Sequence, residues 1–423
     1  MSEAIDGPNA GTPRPTLLVL ASTYPRRAGD HEPGFVHELC KRLAARFAVV
    51  VLAPDAPGAD PSGSFDGVDV IRYRYAPRRL QTLVFGGGIV ANLRAARWKW
   101  LLLPGFFIGQ YLAARRALRT RKIDLVHAHW LLPQGLIARR LARLHKVPYV
   151  VTSHGGDLFG LRGKWSTRLK RKVASDCAAM TVVSSAMRDE AARIGLRPPR
   201  IDVLPMGVDL QDRFVPDAQV QRAADELLFV GRLVPKKGLT HLLDALRAVI
   251  AQRPQVRLTI AGFGPEEAAL KVQARASGLE SAVQFLGAVS QAELPALYRR
   301  AALLVAPFVR DASGDQEGLP VVLMEAIACG CPVLAGRVSG VEDLFGDRAN
   351  AVCVDPKDGQ ALTAAILARL SDPSGSLTLA RQLREAAAMR LDWSAIGTGY
   401  AELLDGCRNR QHGLRSNRPG SPS

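Results

Sequence analysis

The chain has 423 residues, 48% of them apolar, and a formal net charge of +17. That length exceeds what one hydrophobic core supports and suits two or three domains, while the apolar share is that of an ordinary globular protein. No run reaches the roughly 18 apolar residues of a membrane span, the first residues lack the charged start and apolar stretch of a signal peptide, and the six cysteines complete no zinc site and fit a reduced, cytosolic setting.

Residues 1–15 are polar and rich in Pro and Gly, and disorder is expected there. Thr16–Ser22 is an apolar run that reads as a buried parallel strand. A polar loop, Thr23–Gly34, leads into Phe35–Phe47, where Val36, Leu39, Leu43 and Phe47 recur at helical spacing. Ala48–Ala53 and Val68–Tyr73 read as further strands. Strand, loop, helix, strand opens a doubly wound sheet, whose ligands bind at the carboxyl ends of the strands. The Gly29–Gly34 stretch lies at that edge.

From Val70 to Ile123 there are twelve basic residues and no acidic one. Trp98, Trp100, Phe106, Phe107 and Tyr111 are interleaved with them. Within this span Leu101–Ile108 is a short apolar piece flanked by arginines. It suits either a place in a bilayer surface or a core helix kinked by Pro104. A second basic run, residues 162–172, contains Trp165. Cations mixed with aromatics suit an anionic membrane surface or nucleic acid, and a solvated basic face is the plainer reading. No nucleic-acid-binding motif appears, so nucleic acid is not the expected partner.

The alternation resumes with Ile123–Ala128, which runs into His127-Ala128-His129-Trp130, and Pro148–Thr152, which runs into Ser153-His154-Gly155-Gly156-Asp157. Ala179–Ser184 and Ile201–Leu204 follow as strands. His127 and His129 have a metal-like spacing, but they are expected to share a side only where the strand frays. No carboxylate or cysteine lies near enough in sequence to complete a ligand set, and no Asp-X-Asp follows an apolar strand, so no metal is expected. His154 stands at a strand end, as a structural histidine or as a donor to a sugar hydroxyl across a cleft. The polar stretch to about Asp225 reads as a linker.

The second half repeats the architecture, which implies a cleft between two α/β units, the usual place for a substrate. Leu227–Val230 is a strand, Gly231–Gly238 a turn, and Leu239–Gln252 a helix. The turn carries Arg232 and Lys237 at a helix start, an arrangement for phosphate or pyrophosphate or a surface turn with incidental cations. It lacks the P-loop order. Val256–Ala261 leads to Gly262-Phe263-Gly264-Pro265, a turn that could bring backbone close to a nucleotide base. Val283–Leu286 and Leu303–Pro307 are strands, and residues 313–330 follow them. From Leu319 to Cys329 every residue but Glu325 is apolar or proline. Such a helix is buried, and its one carboxylate needs a partner. Pro320 suits the first turn and Gly330 a left-handed stop. Glu317 stands just ahead of the helix, where the dipole favours negative charge. Glu325 reads as half of a structural salt bridge, or else the two glutamates are hydroxyl ligands for a sugar nucleotide whose pyrophosphate the Arg232/Lys237 turn holds. Pro332–Ala335 and Ala351–Val354 complete the second sheet. A helix near Trp393–Cys407 ends the fold, and the basic residues 408–423 are expected to be disordered.

Gly231-Arg232-Leu233-Val234-Pro235-Lys236-Lys237-Gly238, with Glu317-Gly318-Leu319-Pro320-Val321-Val322-Leu323-Met324-Glu325-Ala326 downstream and Ser153-His154-Gly155-Gly156-Asp157 upstream, resembles the retaining glycosyltransferases of family 4. The resemblance runs from about Thr16 to Cys407. It implies an α/β GT-B fold, two Rossmann-like domains facing a central cleft. Residues 16–208 would form the acceptor domain and 209–392 the nucleotide-sugar donor domain, with the helix 393–407 crossing back. It also implies a nucleotide sugar as co-substrate, no cofactor, no metal and a saccharide or polyprenyl- or lipid-linked acceptor. Arg232 and Lys237 would bind the donor pyrophosphate and stabilise the leaving group. Glu317 would contact the donor sugar, with the backbone N–H groups of Gly318 and Leu319 close by. Glu325 would hold the ribose hydroxyls, Gly264 would line the donor site, and His154 would touch the sugar from the other domain.

Two places depart from the family pattern. Where many members carry adjacent glycines, this chain has Gly29-Asp30-His31-Glu32-Pro33-Gly34, so Gly34 is the expected first-domain phosphate contact. Where many show Gly-Ile-Pro-Glu, it has Gly340-Val341-Glu342-Asp343, so Asp343 stands for the glutamate. With the basic segments 70–123 and 162–172 facing an anionic membrane, the expected protein is a peripheral enzyme of the inner, cytoplasmic face that builds a cell-surface polysaccharide or glycolipid. The alternatives are an epimerase or phosphorylase on the same fold, for which no extra acid/base or cofactor-lysine signature appears, and a non-enzymatic nucleic-acid-binding protein.

Overall fold

Strands that are apolar at every position must be covered on both faces, which parallel sheets with crossover helices achieve. The computed structural model describes residues 14–30, 34–85, 88–161, 163–312, 314–338 and 340–416. Of the stretch 1–15 expected to be disordered, residues 1–13 lie outside the described residues, as do 417–423 and His31, Glu32 and Pro33 of the first loop; Pro15 is ordered, its carbonyl accepting from Ala48 N–H at 2.9 Å. In the first sheet are β1 Thr16–Leu20, β2 Ala48–Pro54, β3 Gly63–Phe65, β4 Val68–Tyr73, β5 Leu125–His129, β6 Tyr149–Ser153, β7 Ala179–Val182 and β8 Ile201–Val203. They stand in the order β3-β4-β2-β1-β5-β6-β7-β8. All neighbours are parallel except β3 and β4. Leu17, Leu18, Val19 and Leu20 of central β1 are fully buried.

β3 is absent from the sequence reading. It is a three-residue edge strand, exposed at Gly63 and Ser64, held by a hairpin whose turn is Asp66-Gly67, both with positive φ. That dipeptide supplies the two left-handed positions a tight hairpin demands.

The second sheet contains β9 Ala223–Val230, β10 Arg257–Ala261, β11 Val283–Gly287, β12 Ala301–Ala306, β13 Val333–Gly336 and β14 Cys353–Val354. Its order, β11-β10-β9-β12-β13-β14, is that of a dinucleotide-binding sheet, parallel throughout. β9 starts at Ala223, inside the stretch read as linker, because its first turns of chain pair with Ala301. In each sheet the strand order reverses beside the first strand, between β1 and β5 and between β9 and β12. The loops that leave these four strand ends build the site.

Two helices differ from expectation. Leu102–Thr120 does not choose between membrane and core, because its two faces differ. Phe106 is fully buried against the rings of Tyr73 and Tyr75, while Leu101, Ile108 and Leu112 are exposed. Gly105 and Gly109 let the helix press on the chain after β4: a Cβ would stand 2.3 Å from the Tyr75 carbonyl oxygen and 2.6 Å from that of Arg74. Pro104 falls in the first turn, where it costs no hydrogen bond.

The last helix, Trp393–Ser416, continues well past Cys407, so residues 408–416 are helical and not the start of a disordered tail. The Pro, Gly and Ser that suggested disorder are concentrated beyond Ser416. This helix packs on Phe35–Leu43 of the first domain. Gly397 permits the approach, since a Cβ there would stand 2.6 Å from Arg42 Cβ, and buried Tyr400 donates to the Leu204 carbonyl at 3.0 Å. Among the described residues no helix is long and apolar enough to cross a membrane.

Candidate functional site

The turn after β9 is shaped by glycine. Gly238 has φ +68, and a Cβ on it would stand 1.8 Å from the Pro307 carbonyl oxygen. No other residue fits, and the close approach sets the Pro235–Lys237 turn against the chain leaving β12. Lys237 Nζ then lies 4.7 Å from the centre of the Phe308 ring and 3.2 Å from Glu317 Oε2. Lys236, which the sequence reading gave no role, reaches the same carboxylate: its Nζ is 3.3 Å from Glu317 Oε1 and 3.4 Å from Asp315 Oδ2.

Burial by itself would raise the pKa of Glu317. Lys236, Lys237 and Arg232 outweigh it and hold the carboxyl down at about 2. Burial lowers the pKa of Lys237, and Glu317 partly restores it. The cluster is therefore an ionised, cation-rich nest at the strand-order reversal of the second sheet.

Glu325 is built differently. It sits in the buried helix Val321–Ala328, which Pro320 precedes and left-handed Gly330 follows. No cation pairs with it among the described residues; Tyr298 donates its hydroxyl to Oε2 at 2.8 Å. Burial raises its pKa to about 7, and the Tyr298 hydrogen bond limits the rise. The structural salt bridge that the sequence left open is absent here. A buried acid with a single neutral partner keeps accepting capacity for hydroxyls.

The first domain closes over this cluster. A Cβ on Gly318 would stand 2.9 Å from both the His154 carbonyl oxygen and Met187 Sδ, and a Cβ on Gly155 would stand 3.1 Å from Gly318 Cα. Leu319 packs against the cores of both domains. A Cβ on Gly88 would stand 3.3 Å from Arg232 Nη1, so that arginine also reaches the opposite domain. Asp343, the residue in the family's glutamate position, spans the cleft too: its Oδ2 accepts from the Ser185 backbone N–H at 2.6 Å.

Asp157 ties down the first-domain loop. It accepts from Leu131 N–H, Ser153 Oγ and His154 N–H at 2.6, 2.9 and 3.2 Å. His154 Nε2 is 2.9 Å from His129 Nδ1. His127 and His129 share one face of β5 along its ordered length, with ring centres 4.3 Å apart. Positions i and i+2 of a strand always point the same way, so the expectation that only fraying would align them is corrected. Among the described residues, no group of three or more His, Cys, Asp or Glu could hold a metal ion.

Gly34 precedes Phe35–Leu43 with an ordinary φ of −91°, and its neighbour Phe35 sets its ring 4.9 Å from that of His154. Gly264 is needed for packing: a Cβ there would stand 2.4 Å from the Leu233 carbonyl oxygen, so it locks the two strand-end turns of the second domain together. The structure thus gathers Arg232, Lys237, Glu317, Gly318, Leu319 and His154 at one cleft, with Glu325 and Gly264 behind it. Lys236, Asp315 and Tyr298 were missed. Lys236 stood beside Lys237 in the motif, but Tyr298 lies on a separate helix, and nothing in its local sequence points to Glu325.

Residues 216–390 match the model for glycosyl transferases group 1, and residues 35–212 match that for glycosyltransferase family 4. The chain is 30% identical over 405 residues to the GDP-mannose-dependent alpha-(1-6)-phosphatidylinositol monomannoside mannosyltransferase of Mycolicibacterium smegmatis, covering 93% of this chain and 99% of that protein. It is 29% identical over 408 residues to a glycogen synthase of Mycobacterium tuberculosis, covering 92% of this chain and 94% of that one. Among solved structures, sucrose-phosphate synthase from Thermosynechococcus elongatus superposes with a TM-score of 0.75 at 23% identity, over 95% of this chain and all of that one. Anabaena HepE in complex with UDP-glucose does so with a TM-score of 0.70 at 20% identity, over 92% of this chain and 99% of that one. These neighbours share the GT-B fold.

Proposed function

The chain belongs to glycosyltransferase family 4, and from that premise we propose that it moves a hexosyl unit from a nucleotide sugar, with retention and without a metal ion, to a saccharide or lipid-linked acceptor at the cytoplasmic face of a membrane. The observation that carries this reading is the Arg232–Lys236–Lys237 cluster around Glu317 at the strand-order reversal of the second sheet. Three cations on one turn offset the charge of a pyrophosphate without a divalent ion. Glu317 offsets part of the charge of those cations. A donor entering the cleft would place its phosphates against the same lysines and its sugar hydroxyls against Glu317, while Glu325 accepts the ribose hydroxyls. Negative charge grows on the leaving phosphate as the glycosidic bond breaks, so Arg232 and Lys237 act most strongly in the transition state.

The membrane part of the proposal rests on the helix Leu102–Thr120 and its approach. One exposed face begins with Leu101, Ile108 and Leu112 and continues with Arg115, Arg116 and Arg119. Trp98 and Trp100 are exposed just ahead of it, and Trp165 is 79% exposed in the second basic run. Apolar then basic along one face is what an anionic bilayer surface accepts. A relative named for acting on a phosphatidylinositol mannoside supports a lipid-linked acceptor, and the inferred product is a cell-surface polysaccharide or glycolipid.

A thermal-shift screen over UDP- and GDP-sugars tests the reading. A ligand bound only by the native state at 100 times its Kd adds about 2.7 kcal/mol, so one nucleotide sugar raises Tm, and Lys237→Ala abolishes the rise while remaining folded. A folded protein whose Tm no nucleotide sugar moves would sink the proposal. An isomerised nucleotide sugar formed without acceptor would favour an epimerase.

A further inference from the structure

Half-buried His154 enters the proposed reaction, whereas the two fully buried histidines beside it, His127 and His129, do not. His129 Nδ1 lies 2.9 Å from His154 Nε2, with ring planes 15° apart and ring centres at 5.1 Å. That nitrogen separation is shorter than the ~3.5 Å at which stacked atoms touch, so the rings meet edge to edge through a hydrogen bond. His127 lies on the same face but has another partner: its Nε2 is 2.7 Å from Thr152 Oγ1, which is 2.6 Å from Thr181 Oγ1. Burial penalises the imidazolium form of all three rings and keeps them neutral near pH 7. A single proton therefore lies between His129 and His154.

The position of that proton follows from the far side of His129. Its Nε2 is buried and has no hydrogen-bond partner among the described residues. If His154 were the donor, His129 would carry its own proton on that Nε2, as an N–H with nothing to receive it. If His129 is the donor, the unpartnered atom is only a lone pair. Folded proteins leave buried N–H groups unpaired more rarely than acceptors. His154 then carries its proton on Nδ1, the ring nitrogen that has no partner among the described residues and is not sealed from solvent.

We propose that His129 is a positioning residue: by donating from Nδ1 to His154 Nε2 it fixes the ring and leaves His154 with an Nδ1–H as hydrogen-bond donor into the cleft. This rests on the reading of His154 as a donor-site residue. The group served is a sugar hydroxyl, which accepts the bond. Phe35 and Trp130, with ring centres 4.9 and 5.0 Å from that of His154, restrict its tilt but do not select a tautomer. Without His129, His154 is free to carry its proton on Nε2 and to present a lone pair where a donor is needed.

Imidazole-resolved 15N NMR of the full chain reads the tautomer directly, with His154 assigned by the signals that His154→Ala removes. The expected wild-type state is Nδ1–H. His129→Phe is expected to shift His154 towards Nε2–H. It should also lower kcat for hydrolysis of UDP-glucose or GDP-mannose about tenfold, the worth of a hydrogen bond, with little change in KM. His129→Asn, whose amide nitrogen can stand where Nδ1 does, restores both. An Nε2–H state in the wild type overturns the proposal, as does an unimpaired His129→Phe beside an inactive His154→Ala. A fully active His154→Ala with Nδ1–H in the wild type would instead remove the donor-site reading and leave the tautomer assignment standing. The wild-type spectrum decides even if His129→Phe fails to fold or neither donor is hydrolysed.

Discussion

Glu317 and Glu325 lie on one loop-and-helix stretch yet meet opposite electrostatic environments. Glu317 is held at about 2 by its cations, and Glu325 is raised by burial to about 7. Linkage turns this into opposite pH windows. Glu317, with its pKa below that of the unfolded chain, contributes stability above about 4.5 that is lost as pH falls towards 2. Glu325, with its pKa above, contributes stability that is complete below about 4.5 and is lost as pH rises through 7. The Tm of the wild type should therefore drop relative to that of Glu325→Gln between these two values, by an amount on the order of a few kcal/mol in stability. Parallel melting curves for the two proteins from pH 5 to 8 would contradict the assignment. Nucleotide affinity should also strengthen as pH rises towards 7, since the ionised carboxylate is the better acceptor for ribose hydroxyls. The identity of both glutamates was legible in the chain, because Glu325 is a lone acid in an apolar helix and Glu317 stands just ahead of that helix. Their different charge states were not, because Tyr298, Lys236 and Asp315 reach them through space.

At the level of elements, strand runs and glycine turns were the readable part. The apolar stretches of β1, β5, β6, β9 and β12 have their ends within a few residues of expectation, because a strand buried on both faces is written as an unbroken apolar run. β3 escaped because it is only three residues long and holds one apolar side chain, Phe65, although Asp66-Gly67 carried a hairpin signal. The Gly231–Gly238 turn makes a sharper test. Gly238→Ala puts a Cβ against the Pro307 carbonyl in a left-handed conformation that costs about 1–2 kcal/mol even without the clash. It should lower Tm and weaken nucleotide-sugar binding together, because Lys237 moves with the turn. Gly359→Ala, at a helix start with open space around it, should leave Tm unchanged or slightly higher. Equal melting temperatures for the two variants would show that the close approach is not needed.

At the level of the whole molecule, two independent sheets become one site only through contacts across the cleft: Gly155 on Gly318, Leu319 between the two cores, Asp343 on the Ser185 N–H, and the final helix returning to Phe35–Leu43. The exposed face of Leu102–Thr120 belongs to this scale as well. Replacing Leu101, Ile108 and Leu112 together by Gln should abolish flotation of the protein with vesicles containing an anionic phospholipid. Its melting temperature should be retained, since those side chains are exposed. Unchanged flotation would remove the membrane reading and leave the donor site intact.

The sequence by itself determined the repeated α/β architecture, the glycine-bounded basic turn and the glutamate motif, because apolar periodicity and obligatory glycines are local properties of the chain. The tertiary structure alone decided which lysine meets which carboxylate, that Glu325 has Tyr298 and, among the described residues, no cation, that His129 stands behind His154, and that the basic aromatic helix packs one face while showing the other. Those outcomes depend on which strand ends the topology brings together and on the desolvation that follows, and neither is encoded in any one stretch of residues.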